Sequence, residues 1–170
     1  MATTLFLGGA RSGKSRLAQT AAERFAAPLI YCATGQAFDA EMAARIARHR
    51  ADRDGRWITI DCPVDLPGAI RSAAGGAILV DCLTLWLTNV MLGDHDVAAA
   101  RADLLAAIGA VRAPLFLVSN EVGLGLVPET PLGRAFRDEA GRLNQAVAAV
   151  VDRTYFVAAG LALRLMPLDI

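Results

Sequence analysis

Leu5-Phe6-Leu7-Gly8-Gly9-Ala10-Arg11-Ser12-Gly13-Lys14-Ser15-Arg16-Leu17-Ala18 is the stretch that decides the fold. It opens on an apolar run that reads as a short buried strand. Gly8–Ser15 then satisfies the pattern G-x-x-x-x-G-K-[ST] at every fixed position. Arg16–Arg24 follows, rich in good helix formers. Strand, glycine loop and helix are the arrangement that phosphate binding needs. Glycines let backbone N–H groups converge on phosphate oxygens, and the helix turns its positive end to the same spot. In that loop Lys14 reaches the β/γ-phosphates and the Ser15 hydroxyl holds Mg²⁺. The alternative is a glycine-rich turn without a ligand; motif and context together favour a nucleoside triphosphate.

Outward from this stretch, the pattern alternates strand and helix. Strands are expected at Thr3–Leu7, Leu29–Ala33, Trp57–Asp61, Ala77–Val80, Leu115–Val118 and Thr154–Val157, with a last one at Ala162–Met166. They are short, continuous and apolar, as strands covered on both faces are. Helices are expected at Lys14–Ala26, Asp39–Ala51, Asp65–Ser72, Leu83–Leu92, Asp96–Val111 and Pro131–Val151. This describes one α/β domain with a mostly parallel sheet. In such sheets the ligand lies beyond the carboxyl ends of the strands. The segments there are Gly8–Ser15, Thr34–Gln36, Asp61–Pro63, Asp81–Cys82 and Ser119–Glu121, all polar or glycine-bearing.

The 170 residues suit one domain with a real core. Lys plus Arg equals Asp plus Glu at 17 each, so no net charge attracts nucleic acid or an anionic membrane. Lys14 is the only lysine. Cys32, Cys62 and Cys82 lie in or at the ends of strands without C-x-x-C spacing and read as small buried residues. The most apolar long stretch, Ala77–Leu92, is broken by Asp81, Thr84, Thr88 and Asn89, so no membrane span is expected. The first strand begins almost at Met1, leaving no room for a signal peptide, and a cytoplasmic protein is expected.

Asp81 ends the run Ala77–Val80 as the carboxylate of a Walker B strand does, in position to hold Mg²⁺; the competing reading is an acidic helix N-cap. Around His49, the residues Arg45, Arg48, Arg50, Arg53 and Arg56 form a dense basic cluster. Spacing alone leaves two readings. One is a solvated arginine-rich face with an incidental histidine. The other is an anion site whose histidine is a nucleophile or acid–base group, kept neutral by its arginines. On that helix Met42, Ile46 and Ala43 have the spacing of an inward face. Asn120–Pro131 is too apolar for a solvent loop and too rich in Gly and Pro for a helix; it reads as a substrate lid or a subunit contact. The charges on the following helix either are exposed or line the same cleft.

Taken together, G-G-A-R-S-G-K-S at Gly8–Ser15, A-T-G-Q at Ala33–Gln36, E-M-A-A-R-I-A-R-H-R at Glu41–Arg50, the Asp81 strand, S-N-E-V-G-L-G-L-V-P-E at Ser119–Glu129 and F-R-D-E-A-G-R-L-N-Q at Phe136–Gln145 resemble one family. It is the bifunctional adenosylcobinamide kinase/adenosylcobinamide-phosphate guanylyltransferase family of cobalamin biosynthesis. The resemblance spans nearly the whole chain, residues 1–170, as one P-loop NTPase-like (RecA-like) transferase domain with helices flanking its sheet. It implies phosphorylation of adenosylcobinamide by a nucleoside triphosphate, ATP or GTP. It then implies transfer of GMP from GTP through a covalent intermediate on the histidine that aligns with His49, releasing pyrophosphate. The nucleotide residues it implies are Gly8, Gly9, Ala10, Arg11, Ser12, Gly13, Lys14 and Ser15, then Thr34, Gly35 and Gln36, then Arg50, Ala51, Asp52 and Arg53, and finally Asp61 and Asp81. Ser15 and Asp81 hold Mg²⁺ in this reading. Asp61 stands where relatives often carry Glu, which keeps the carboxylate and shortens its reach. The resemblance also implies that Asn120–Glu129 helps form the corrinoid site or a subunit interface, in a homo-oligomer of three chains. The competing reading is a generic P-loop small-molecule kinase in which His49 is idle.

Overall fold

The computed structural model describes residues 2–37, 39–51 and 53–167; for Glu41, Met42, Arg45 and His49 it describes the backbone alone. In chain order the elements are β1 (Thr3–Gly8), α1 (Lys14–Ala22), β2 (Leu29–Ala33), α2 (Ala40–Ala51), β3 (Trp57–Asp61), α3 (Leu66–Ser72) and β4 (Ala77–Asp81). There follow α4 (Leu83–Leu92), α5 (Val97–Ala110), β5 (Leu115–Asn120), α6 (Pro131–Ala148), β6 (Arg153–Ala158) and β7 (Leu161–Leu165). They build one α/β domain around a seven-stranded sheet of order β3-β2-β4-β5-β1-β6-β7. All neighbours pair in parallel except β6 and β7.

Alternation along the strands divides the core into two layers. Leu5, Leu7, Ile30, Cys32, Ile78, Val80, Leu115 and Leu117 face the layer that holds Leu66, Trp86, Leu104, Leu143 and Val147 of α3–α6. Phe6, Leu29, Tyr31, Leu79, Phe116 and Val118 face the layer that holds Ala18 and Ala22 of α1. Small alanines on α1 let that helix sit close on the sheet. Side-chain caps start α3, α5 and α6 on the other face: Asp65 accepts from the Gly68 N–H at 2.9 Å, Asp96 from Ala99 at 3.0 Å and Thr130 from Gly133 at 3.1 Å.

Several expectations are corrected. α1 stops at Ala22 rather than Ala26, because the chain must turn into β2 and Pro28 disfavours helix at Ala27. α6 stops at Ala148 rather than Val151, where Asp152 is drawn onto β1: its carboxylate accepts from the Thr3 N–H at 2.7 Å and the Thr3 hydroxyl at 3.0 Å. Coverage on both faces fails at the edges of the sheet. Ile58 on β3 is 52% exposed, and every residue of β7 is exposed. Ala43 of α2 is also exposed, since Ile46 and Arg50 are the described residues of α2 that reach the cleft. All three cysteines are buried and unbridged, as expected. No described helix is long and apolar enough to cross a membrane.

Candidate functional site

The loop after β1 has the geometry its glycines require. A Cβ on Gly8 would lie 2.3 Å from the Val157 carbonyl oxygen of the neighbouring strand. Gly13 takes φ 96° at the N-cap of α1, the left-handed region that favours glycine, and Arg11 sits at φ 57°. Two neighbouring segments brace the loop: the Gly160 N–H in the turn before β7 donates to the Ser12 carbonyl at 2.8 Å, and the Glu121 N–H just after β5 donates to the Gly8 carbonyl at 3.1 Å. No side chain hydrogen-bonds the N-cap of α1 and its first turn holds no acid, so no carboxylate offsets the positive end of the helix there. Lys14 is 7% exposed, with Nζ 3.0 Å from the Gly9 carbonyl, folded back along the loop it serves.

A cleft opens beside this loop at the carboxyl ends of β2, β3, β4 and β5. Lys14, Ser15, Tyr31, Ala33, Gly35, Ile46, Arg50, Arg53, Asp61, Asp81, Cys82, Leu85 and Asn120 line it. Arg50 Nη2 donates to Asp61 Oδ1 and Oδ2 at 3.0 and 3.1 Å, an exposed pair that a ligand can compete for at little cost. The Arg53 guanidinium lies 3.6 Å above the centroid of the Tyr31 ring and donates to Thr59 Oγ1 at 3.2 Å. Asp81 does not cap α4; the N-cap there is Cys82, without a side-chain bond. Its Oδ2 instead accepts from the Tyr31 hydroxyl at 3.3 Å. Burial, then Asp81, hold the Tyr31 phenol protonated well above its ordinary range. Burial and the same carboxylate push the Cys82 thiol up to about 11.

The fold thus gathers Lys14, Ser15, Gly35, Arg50, Arg53, Asp61 and Asp81 on one cleft. Gly9, Ala10 and Arg11 form the exposed crest of the loop, and Gln36 is exposed outside the cleft lining. Thr34 is fully buried. Its hydroxyl donates to the Cys82 carbonyl and accepts from the Cys82 N–H, both at 2.8 Å, so it ties the end of β2 to the turn after β4. Asn89 extends the tie, donating to the Thr34 and Pro63 carbonyls at 2.8 and 2.9 Å. Ala51 is exposed on the last turn of α2. Asp52 and the side chain of His49 lie outside the described residues; the His49 backbone sits in α2 beside Arg50. The charges of α6 pair away from the cleft, with Glu139 taking both Arg101 at 2.8 Å and Arg142 at 2.5 Å. In the loop before α6, Leu124, Leu126 and Val127 are exposed by 80, 95 and 65%.

Two cleft residues escape sequence reasoning. Tyr31 and Leu85 sit inside apolar runs and read as core. The one available signal is that Tyr31 is the lone hydroxyl in β2, two residues before the strand end.

The donors suit Mg²⁺. Ser15 and Asp81 offer hard oxygen ligands beside a phosphate-binding loop, and no group of three or more His, Cys, Asp or Glu among the described residues forms a protein cage. Mg²⁺ keeps several waters and needs only one or two protein oxygens besides phosphate.

A phosphate loop after β1 and an acid ending β4, in a sheet of order β3-β2-β4-β5-β1, define a P-loop nucleotide-binding protein of RecA-like topology. A KaiC-like protein of Pyrococcus horikoshii OT3 shares the fold, with TM-score 0.50 and 12% identity, over 91% of this chain and 71% of that one. The family model "Cobinamide kinase / cobinamide phosphate guanyltransferase" matches residues 4–165, and the chain belongs to that family. It is 48% identical to the bifunctional adenosylcobalamin biosynthesis protein CobP of Pseudomonas aeruginosa, over 95% of each chain. It is 41% identical to the bifunctional protein CobU of Salmonella typhimurium, over 95% of this chain and 98% of the relative.

Proposed function

We propose that the chain is a single transferase domain that carries out two successive reactions on one corrinoid. First, the hydroxyl of adenosylcobinamide attacks the γ-phosphorus of ATP or GTP, and the nucleoside diphosphate leaves. Second, a ring nitrogen of His49 attacks the α-phosphorus of GTP, pyrophosphate leaves, and a guanylyl-histidine forms. A phosphate oxygen of adenosylcobinamide phosphate then attacks that phosphorus, freeing His49 and giving adenosylcobinamide-GDP.

The observation that carries this reading is the meeting of two groups on one cleft. Lys14, Ser15 and Asp81 come from the phosphate loop and β4, while Arg50 comes from the last turn of the histidine-bearing helix and Arg53 from just beyond it. Lys14 and the loop N–H groups neutralise the phosphates that leave. Arg50 and Arg53 clamp the phosphates that stay, and Asp61 and the Thr34–Gln36 turn flank the nucleoside. Ser15 and Asp81 hold Mg²⁺, which when bound offsets charge on the phosphate oxygens. The exposed leucines of the Leu124–Val127 segment and of β7 suit contact with the corrinoid or with further copies in a homotrimer. Dependence on nucleoside triphosphates places the reaction in the cytoplasm.

Replacing His49 by Ala separates the steps. Guanylyl transfer should fall by at least about a thousandfold, as for loss of a nucleophile, while phosphorylation of adenosylcobinamide persists. Retention of both activities would favour the generic kinase.

A further inference from the structure

We propose that Tyr31 is a positioning residue for Asp81, aiming that carboxylate at the metal and linking it to the arginine end of the cleft. The inference rests on the metal role of Asp81 given above. Tyr31 belongs to β2, where its register partner on β4 is Leu79, and Ala33 pairs with Asp81. The phenol therefore starts two residues below the strand end and reaches along the sheet to Asp81 Oδ2, at 3.3 Å. A phenol on a carboxylate donates, so Tyr31 occupies one oxygen and directs a cation to the other.

Three contacts fix the ring. It is 7% exposed, in the layer beneath α1. Trp57 of β3 meets it edge-on, with centroids 6.2 Å apart at 80°. Arg53 covers its other approach at 3.6 Å and is itself held by Thr59. A guanidinium that spends its face on a ring keeps N–H groups at its edge for phosphate oxygens. Arg53, Tyr31 and Asp81 thus form a continuous chain from the arginine side of the cleft to the metal side. Phenylalanine would preserve the ring and both of its stacking partners and delete only the bond to Asp81.

The test is Mn²⁺ binding to the GTP complex, followed by electron paramagnetic resonance, for the parent, Tyr31→Phe and Asp81→Asn. GTP affinity without metal and the melting temperature without ligand are measured in parallel. Tyr31→Phe should weaken Mn²⁺ binding about tenfold, the usual scale for a partner of a metal ligand, with metal-free GTP affinity and melting unchanged. It should also raise the Mg²⁺ concentration for half-maximal activity. Parental Mn²⁺ affinity in Tyr31→Phe, with loss in Asp81→Asn, overturns the role of Tyr31 and leaves that of Asp81 standing. Parental affinity in Asp81→Asn overturns both. A Tyr31→Phe variant that melts lower or loses metal-free GTP binding equally assigns Tyr31 to packing and also overturns the proposal.

Discussion

Thr34 shows how a single hydroxyl can carry site geometry from inside the core. It satisfies both backbone groups of Cys82, the residue between Asp81 and α4, at 2.8 Å each. Thr34→Val keeps the shape and leaves the buried Cys82 N–H unpaired, while the Cys82 carbonyl keeps the Trp86 N–H at 3.2 Å. The expected loss is about 1–3 kcal/mol, read as a melting temperature lower by roughly 2–12 °C. Parental melting would show that water replaces the hydroxyl. Lys14 acts at the same scale, with the opposite accounting. Its ammonium sits 3.0 Å from the Gly9 carbonyl, a neutral partner that the proposed mechanism exchanges for phosphate. Lys14→Ala should weaken nucleotide binding by about 10- to 100-fold, the worth of a hydrogen bond to a charged group, in an equilibrium titration. It should leave folding largely intact.

At the scale of elements, the phosphate loop depends on strands distant in sequence. β6 packs against Gly8, the turn before β7 bonds to Ser12, and Asp152 locks the start of β6 to Thr3. The Thr3 N–H and then its hydroxyl hold the Asp152 carboxyl below its ordinary value. A carboxylate depressed in the folded state stabilises above its unfolded value, near 3.9, and that stabilisation is lost as pH falls through the folded one. Asp152→Ala should therefore lower the melting temperature at pH 7, with the gap to the parent narrowing as pH falls below 4. A gap that stays constant with pH would contradict the carboxylate's role. None of these braces could be read from local pattern, because each joins residues about 150 positions apart. The parallel strands and Gly8–Ser15 could be read, since hydrophobic period and glycine placement are local. The edges β3 and β7 were harder: an apolar strand looks the same whether or not something covers it. Tyr31 and Thr34 were harder still. One reads as core in an apolar run, and the other as a polar residue at a strand end whose tie to Cys82 only the sheet order creates.

At the scale of the whole molecule, one sheet edge gathers the phosphate loop and the end of the histidine-bearing helix. The crossovers put the phosphate loop at the end of β1 and α2 after β2, with β4 and β5 between them in the sheet. The cleft along that edge then takes residues from both. A generic kinase would use the same phosphate loop and the same Asp81, so nucleotide binding cannot distinguish the two accounts. The distinguishing feature is the covalent bond to His49 that the proposed mechanism requires. The most direct measurement is incubation of the enzyme with α-labelled GTP and Mg²⁺, followed by denaturation and mapping of covalent label. Acid-labile, base-stable label on the peptide containing His49, absent from His49→Ala, is the predicted result. Full GTP binding with no covalent label would contradict the transferase mechanism.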